Sequence, residues 1–295
     1  MLIKTIYRGL KIGQVELVTV DRDLEIRKPD EVLIQGKMCG FCKSDLETIL
    51  YKNNVSVETF GHEGLGIVVD KGTAVDQFKV GDVVSTFGDG CYGDYYKVND
   101  WQLAKVNESG PNFIVQPLAT MLNVAKWINL ADSVLINGCG SNALLLAKIL
   151  KRKGKEFDFA GNHNLEKIKE LGGCVPVTDG EYDVVVEISG KQGAYSFLID
   201  FLRNEGLLLA AANPEKPELL NLFKYSWKAV TVIFPSPRNF SFRGDFQTAA
   251  SLLNEGSIRL NDIFEKGYFR NDTLQLQSAV QDKLSHKVIK GYLYW

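Results

Sequence analysis

Gly40-Phe41-Cys42-Lys43-Ser44-Asp45 and Gly61-His62-Glu63-Gly64-Leu65-Gly66 gather a thiol, a hydroxyl, an imidazole and carboxylates into two short runs. Glycines beside them permit tight backbone turns. Cysteine sulfur and histidine nitrogen are donors that zinc prefers, and a catalytic zinc keeps one position open for substrate. Cys42 would bind as a thiolate and His62 through a ring nitrogen. Ser44 lies two residues beyond Cys42, so its hydroxyl can face the same pocket. Asp45 could accept the other ring N–H of His62 and fix the ring's orientation. Glu63 could sit behind the metal or ligate it directly. Taken singly, Cys42 reads as a buried small hydrophobe and His62 as a satisfied core histidine. Their joint context is what points to zinc.

A third run, Gly138-Cys139-Gly140-Ser141-Asn142-Ala143, follows the apolar Val134-Leu135-Ile136 and opens a helical stretch. In that setting it reads as a dinucleotide phosphate loop. Gly138 permits the tight turn, and Gly140 lets backbone approach a pyrophosphate. Ser141 and Asn142 begin the helix, whose N-terminus favours negative charge. Ala143 is small enough for helix–strand contact. A carboxylate at the tip of the next strand would select NAD through the ribose hydroxyls. Asp158 falls inside that strand, and the tip reads Gly161-Asn162-His163. With no acid there and room for a 2′-phosphate, NADP is favoured. The basic run at 151–155 sits at the far end of its helix, where it complements the helix dipole rather than a phosphate.

The elements that must position these groups fall into two regions. The first hundred or so residues carry short apolar or β-branched runs, such as Val32-Leu33-Ile34, Gly66-Ile67-Val68-Val69, Val83-Val84 and Tyr95-Tyr96-Lys97-Val98. Turn residues separate them, which suggests a compact barrel-like sheet. After Gln116-Pro117 the pattern becomes alternating. Helices are expected at 118–130, 142–151, 165–171 and 194–203, with strands at 133–137, 156–160, 183–188, 207–212 and 229–234. Such alternation implies a parallel sheet covered on both faces. A helix at 245–254 and a strand at 288–294 close the chain.

Bulk properties narrow the classes. The 295 residues are enough for about two domains. Lys and Arg total 34 against 36 Asp and Glu, a net charge of −2, which makes nucleic acid an unlikely partner. No apolar run is long enough for a membrane helix, and the start has no signal core, so a cytoplasmic location is expected. Five scattered cysteines argue against a disulfide framework.

The ordered set of motifs resembles the zinc-dependent medium-chain dehydrogenases, the alcohol, sorbitol and glucose dehydrogenase superfamily. Gly40 to Asp45 matches its G-x-C-x-[ST]-D. Gly61-His62-Glu63 with Gly66-Ile67-Val68 matches G-H-E-x-x-G-x-V, and Gly81-Asp82-Val83-Val84 matches a turn ending in G-D-x-V. Gly90-Cys91-Tyr92-Gly93-Asp94-Tyr95 stands where a G-G-F-A-E-Y-like segment is common. The resemblance runs on through Gln116-Pro117-Leu118 and the phosphate loop to the tail. It implies an α/β chain with a GroES-like catalytic domain over 1–117, completed by 241–295, and a Rossmann NAD(P)-binding domain over 118–240. It implies that Cys42 and His62 ligate a catalytic zinc and that Ser44 begins a proton relay. Glu63 would exchange with zinc-bound water, Asp45 would support His62, and Lys43 would touch the cofactor pyrophosphate. The implied reaction is reversible oxidation of an alcohol, polyol or sugar hydroxyl by NAD(P). A homodimer or homotetramer is the implied assembly.

Two departures stand out. The lobe with four close cysteines that holds a structural zinc in many members is missing between Val84 and Cys91, so a single zinc is expected. The E-P-L of polyol dehydrogenases, whose glutamate reaches the zinc, is here Gln116-Pro117-Leu118. Either Gln116 ligates through its amide oxygen, or Glu63 supplies the third bond and Gln116 only hydrogen-bonds to water. Zinc-free quinone or enoyl reductases of the same superfamily, and a nucleotide-binding protein with a degenerate site, are the rival readings.

Overall fold

The computed structural model describes residues 1–8, 15–46, 60–130, 132–173, 180–214, 216–237 and 241–295. Cys174 lies outside them. The chain forms two compact units, Met1–Pro117 with Phe246–Trp295, and Leu118–Asp245.

The first unit opens with an antiparallel ribbon of β1 (Leu2–Arg8) and β2 (Val15–Asp21). β3 (Glu31–Phe41), β4 (Glu63–Lys71), β5 (Val83–Phe87), β6 (Tyr95–Asn99) and β7 (Leu103–Lys105) follow. β3 alternates buried and half-buried residues from Glu31 to Lys37, then buries Cys39, Gly40 and Phe41 in succession. A strand that stops alternating is covered on both faces. That change comes just before Cys42.

The second unit is a five-stranded sheet made of β8 (Val134–Asn137), β9 (Asp158–Ala160), β10 (Tyr182–Glu187), β11 (Leu202–Ala210) and β12 (Thr231–Ile233). Its order is β12-β11-β10-β8-β9, and every pairing is parallel. The chain starts at β8, goes outward to β9, then returns to β10 on the other side. The reversal lies between β8 and β10, the place where open α/β sheets bind ligands at the carboxyl ends of their strands.

The chain then returns to the first unit with β13 (Phe264–Phe269) and β14 (Lys290–Tyr294), joined by the helix Thr273–Leu284. Asp272 caps that helix, accepting from the backbone N–H groups of Leu274 and Gln275. The sheet of the first unit runs β13-β14-β3-β4-β5-β7, with β6 also paired to β3. The short strands expected over the first hundred residues therefore share one sheet with the tail strand.

Several boundaries differ from the sequence expectation. The helix expected over 118–130 is Gln116–Ala125. Its end tightens into three-residue turns, with the Trp127 and Ile128 N–H groups donating to the Val124 and Ala125 carbonyls, and Asp132 holds a further turn by accepting from the Asn129 N–H. The helix expected over 194–203 ends at Leu198 and passes through a 3-10 turn at Ile199–Phe201. Lys228 takes the carbonyls of Ile199, Asp200 and Leu202 as that helix unwinds, and β11 then begins at Leu202 rather than at 207. The ribbon β1–β2, strand β13 and the helices Leu222–Trp227 and Thr273–Leu284 carry no sequence expectation at all.

Arg270 joins the separate pieces of the first unit. It is fully buried, and its guanidinium donates to the carbonyls of Lys4 and Tyr92 at 3.2 and 2.9 Å. It pairs with Asp94 and lies 4.4 Å from the ring centre of the C-terminal Trp295. One planar fork thus ties β1, the 92–94 loop and the tail together. Arg270→Met would take the donor from the Tyr92 carbonyl and from Asp94 Oδ1, while the Lys4 carbonyl and Asp94 Oδ2 keep backbone donors. We expect a loss of about 3 kcal/mol, the low end for breaking a buried pair because Asp94 is partly exposed, read from denaturant unfolding. A loss below about 1 kcal/mol would show that the fork is dispensable.

Candidate functional site: a three-donor metal centre and a phosphate loop

Strand register brings the first two runs together. β3 pairs antiparallel with β4, with Cys39 opposite Gly64. The end of β3 therefore meets the start of β4, and Cys42 and His62, each just outside its strand, become neighbours. One sulfur, one imidazole nitrogen and one carboxylate oxygen of Cys42, His62 and Glu63 all lie within 4.8 Å of one another. Residues 43–46 turn helical directly after Cys42. That turn carries Ser44, whose hydroxyl donates to the Cys42 sulfur at 3.3 Å, and it points Asp45 back toward His62.

Asp45 is 5% exposed and its carboxylate is fully engaged. Oδ1 accepts from the backbone N–H of Gly61 at 3.3 Å and lies 3.2 Å from His62 Nδ1. Oδ2 accepts from the Tyr92 hydroxyl at 2.8 Å. With Nδ1 facing Asp45, Nε2 is the nitrogen left for a metal. Gly61 reaches this contact in a left-handed conformation, φ +78°, where a side chain would also strike Tyr92.

Glu63 is 2% exposed, and Lys290 Nζ donates to its Oε1 at 2.8 Å. Register explains the lysine. Gly291 of β14 stands opposite Phe41 of β3, so Lys290 arrives at the level of Cys42. Glu63 Oε2 is buried and has no hydrogen-bond partner. An unpartnered buried carboxylate oxygen is costly unless a cation or proton meets it. Beside a cysteine sulfur and an imidazole nitrogen, it is a donor set that fits zinc.

The electrostatics agree. Burial and the Glu63 charge push the Cys42 thiol up, but Lys290 and His62 outweigh them and hold it below its usual range. Burial lowers the His62 imidazole, yet the charges of Asp45 and Cys42 raise it well above normal. Burial disfavours the Lys290 cation, and Glu63 and Cys42 more than restore it. Burial and the nearby Lys290 ammonium push Lys283 down to about 8. These shifts favour the charged forms of His62 and Lys290 beside Cys42 and Asp45. Metal entry must expel the imidazolium proton.

Gln116 heads the helix Gln116–Ala125 and is 8% exposed. Lys43 and Ser44 are exposed on the turn after Cys42.

In the second unit the loop after β8 has the anticipated shape. Gly138 adopts φ +130°, and a Cβ there would lie 3.0 Å from the Ile188 side chain and 3.1 Å from the Ser189 nitrogen. A Cβ on Gly140 would meet nothing within 4 Å, so the backbone there is open to approach. The helix begins at Ser141, Asn142 is in its first turn, and Ala143 is 1% exposed against the sheet. The tip of β9 folds onto this loop. Asn164 donates to the Cys139 carbonyl at 2.6 Å, and a Cβ on Gly161 would sit 2.2 Å from the Cys139 sulfur. Gly161, Asn162 and His163 are exposed. Asp158 is the first residue of β9, and the Tyr182 hydroxyl donates to it at 2.8 Å.

Comparison with known proteins gives one family-domain match and several similar dehydrogenases. The alcohol dehydrogenase GroES-like domain matches residues 28–108. Sorbitol dehydrogenase of Halalkalibacterium halodurans is 27% identical, over 88% of this chain and 91% of that protein. (R,R)-butanediol dehydrogenase of Bacillus subtilis is also 27% identical, over 56% of this chain and 61% of that protein. The chain is similar to the zinc-type medium-chain dehydrogenase/reductases, and residues 28–108 carry their GroES-like domain. The fold agrees: TarJ of S. aureus, solved in complex with NADPH, superposes with a TM-score of 0.79 at 20% identity, over 100% of this chain and 99% of that one. No helix among the described residues is long and apolar enough to cross a membrane.

Sequence reading missed Lys290, Tyr92 and Lys283. Lys290 stood within the expected tail strand, but only the β14–β3 pairing shows that it ends at Glu63. The empty side of Gly40 gives a test. A Cβ there would lie 1.9 Å from Glu63 Oε2, so Gly40→Ala must move that oxygen. We expect zinc retention under chelator competition to fall by about tenfold or more. Unaltered retention would show that Glu63 does not contribute to the donor set.

Proposed function

We propose that the chain is a zinc-dependent, NAD(P)-linked dehydrogenase that interconverts a hydroxyl-bearing carbon and a carbonyl in a small polyol, sugar or alcohol. One observation carries the reading. Cys42, His62 and Glu63 converge within 4.8 Å, and the buried Glu63 oxygen has no partner, in a chain whose other unit holds a dinucleotide-type loop. Bound there, zinc would supply a Lewis acid that polarises the substrate oxygen and lowers the hydroxyl pKa.

The protein's own residues supply the rest. Cys42 and His62 hold the ion, and Asp45 orients His62. Glu63 offers a carboxylate oxygen that can trade places with water or substrate. Ser44, exposed beside Cys42, takes the hydroxyl proton and passes it to solvent. Lys43 and the loop of Gly138, Gly140, Ser141, Asn142 and Ala143 bind the pyrophosphate, which fixes the nicotinamide for hydride transfer. Gln116, at its helix start, is our proposed neutral partner near the metal.

NADP is the favoured cofactor. The carboxylate of Asp158 is bonded to Tyr182 at the beginning of β9, while the exposed tip at 161–163 offers no acid to repel a 2′-phosphate. A single zinc is proposed because the segment between β5 and Cys91 has no room for a cysteine-rich lobe. Polyols or sugars lead as substrates, by similarity to the sorbitol and butanediol dehydrogenases.

Metal analysis, followed by nicotinamide absorbance with a panel of polyols, aldoses and primary alcohols, tests the proposal with both cofactors. Cys42→Ser or His62→Ala should lower alcohol oxidation by about 1,000-fold or more and leave dinucleotide affinity close to that of the parent. Full activity in a metal-free preparation would reject the zinc mechanism. Gln116→Glu, which adds a negative donor, should slow zinc loss to a chelator. An unchanged rate would place Gln116 away from the ion.

A further inference from the structure

We propose that Tyr92 is a positioning residue of the metal centre. Its hydroxyl locks Asp45 in place, and Asp45 in turn fixes the His62 tautomer whose Nε2 is free for the metal. The inference rests on the zinc reading above and extends it to a residue outside the donor set.

Tyr92 is fully buried, and its position is set from several sides. Its carbonyl accepts from Arg270 at 2.9 Å. Its backbone N–H donates to the Phe60 carbonyl at 3.4 Å, and the neighbouring Cys91 N–H donates to Gly61 at 3.1 Å. The ring packs against Phe41, with centroids 6.3 Å apart. It also fills the space a side chain on Gly61 would take, where a Cβ would come within 2.6 Å of the ring. A tyrosine held in this way has one free choice, the direction of its hydroxyl, and that points at Asp45 Oδ2.

The geometry gives this bond a specific task. Both other donors to Asp45, the Gly61 N–H and the His62 ring, approach the same oxygen, Oδ1. Those two bonds, at 3.3 and 3.2 Å, hold one end of the carboxylate only. The shorter bond at Oδ2, 2.8 Å, fixes the other end, because rotation about Cβ–Cγ would break it in the protein interior. A carboxylate that cannot turn keeps Oδ1 on Nδ1–H, and the ring presents Nε2 to Cys42 and Glu63.

The test is a double-mutant cycle on zinc affinity, measured on the full-length protein by competition with a chelating fluorophore. Tyr92→Phe should weaken zinc by about tenfold, and Asp45→Asn by about tenfold or more. The double variant should bind zinc about as Asp45→Asn does, since Tyr92 acts only through Asp45. A purely structural role would instead give effects that multiply. The inference is overturned by a Tyr92→Phe affinity within twofold of the parent, or by multiplying effects. A parent that binds no zinc would overturn the metal reading itself, which keeps the two failures separate. If Tyr92→Phe does not fold, 3,5-difluorotyrosine at position 92 preserves shape and hydroxyl while altering donor strength. Zinc affinity should then shift, and an unchanged value overturns the inference.

Discussion

The pairing of β3 with β4 is the constraint on which the candidate centre depends. Cys42 and His62 are twenty residues apart in the chain, and no local turn brings them together. Register does so: Cys39 opposite Gly64 puts the exit of one strand beside the entry of the other. A slip of one residue would send the flanking side chains to opposite faces. Glycines 64 and 66 sit within this pairing and Gly40 just beyond its end, and a Cβ on any of them would collide with a neighbour at 2.4 Å or less. The site therefore needs close backbone packing as much as it needs its ligands.

A second layer of pairing brings the counter-charges. β14 lies against β3 with Gly291 opposite Phe41, so the chain's end carries Lys290 into the same place. Arg270, in the last residues before the helix Thr273–Leu284, anchors the 92–94 loop from behind. Through that loop it bears on Tyr92, Asp45 and His62 in turn. Residues far apart in sequence thus act on one imidazole through carbonyl, hydroxyl and carboxylate. The links through the Tyr92 carbonyl and hydroxyl are buried, so each is worth more than its equivalent in water, and the Asp45–His62 contact is part-buried.

How much of this was legible beforehand follows from the range of the interactions. The runs around Cys42, His62 and Gly138 carry their chemistry locally, in residue type and spacing, and reading them gave the zinc-type family and the mixed fold. The strands and helices of the second unit follow from periodicity, although the helix at 194 was read too long because Lys228 intervenes from elsewhere. Lys290 and Tyr92 were not legible as site residues. Nothing about a lysine in a tail strand says that it will meet Glu63, since that depends on a register across the sheet. Strand β13 and the helix after it were hidden because the glycine-containing Phe264–Phe269 run and the glutamine-rich 273–284 stretch have weak patterns.

The Lys290–Glu63 pair bears on what sort of metal centre this is. Two full carboxylate charges near a cysteine thiolate would hold a divalent ion tightly and blunt its pull on a substrate oxygen. Here one oxygen of Glu63 is neutralised by a buried ammonium, and Asp45 gives its charge to His62, Tyr92 and Gly61. What would remain directed at a bound ion is one thiolate, one neutral nitrogen and half of a compensated carboxylate. Gln116, our proposed neutral partner of that centre, would add no charge there, which acts in the same direction. On the proposed zinc reading, the site keeps donors of the kind that grip zinc and offsets charges that would dull it. A loosely screened, strongly polarising ion suits hydroxyl activation better than it suits a purely structural site.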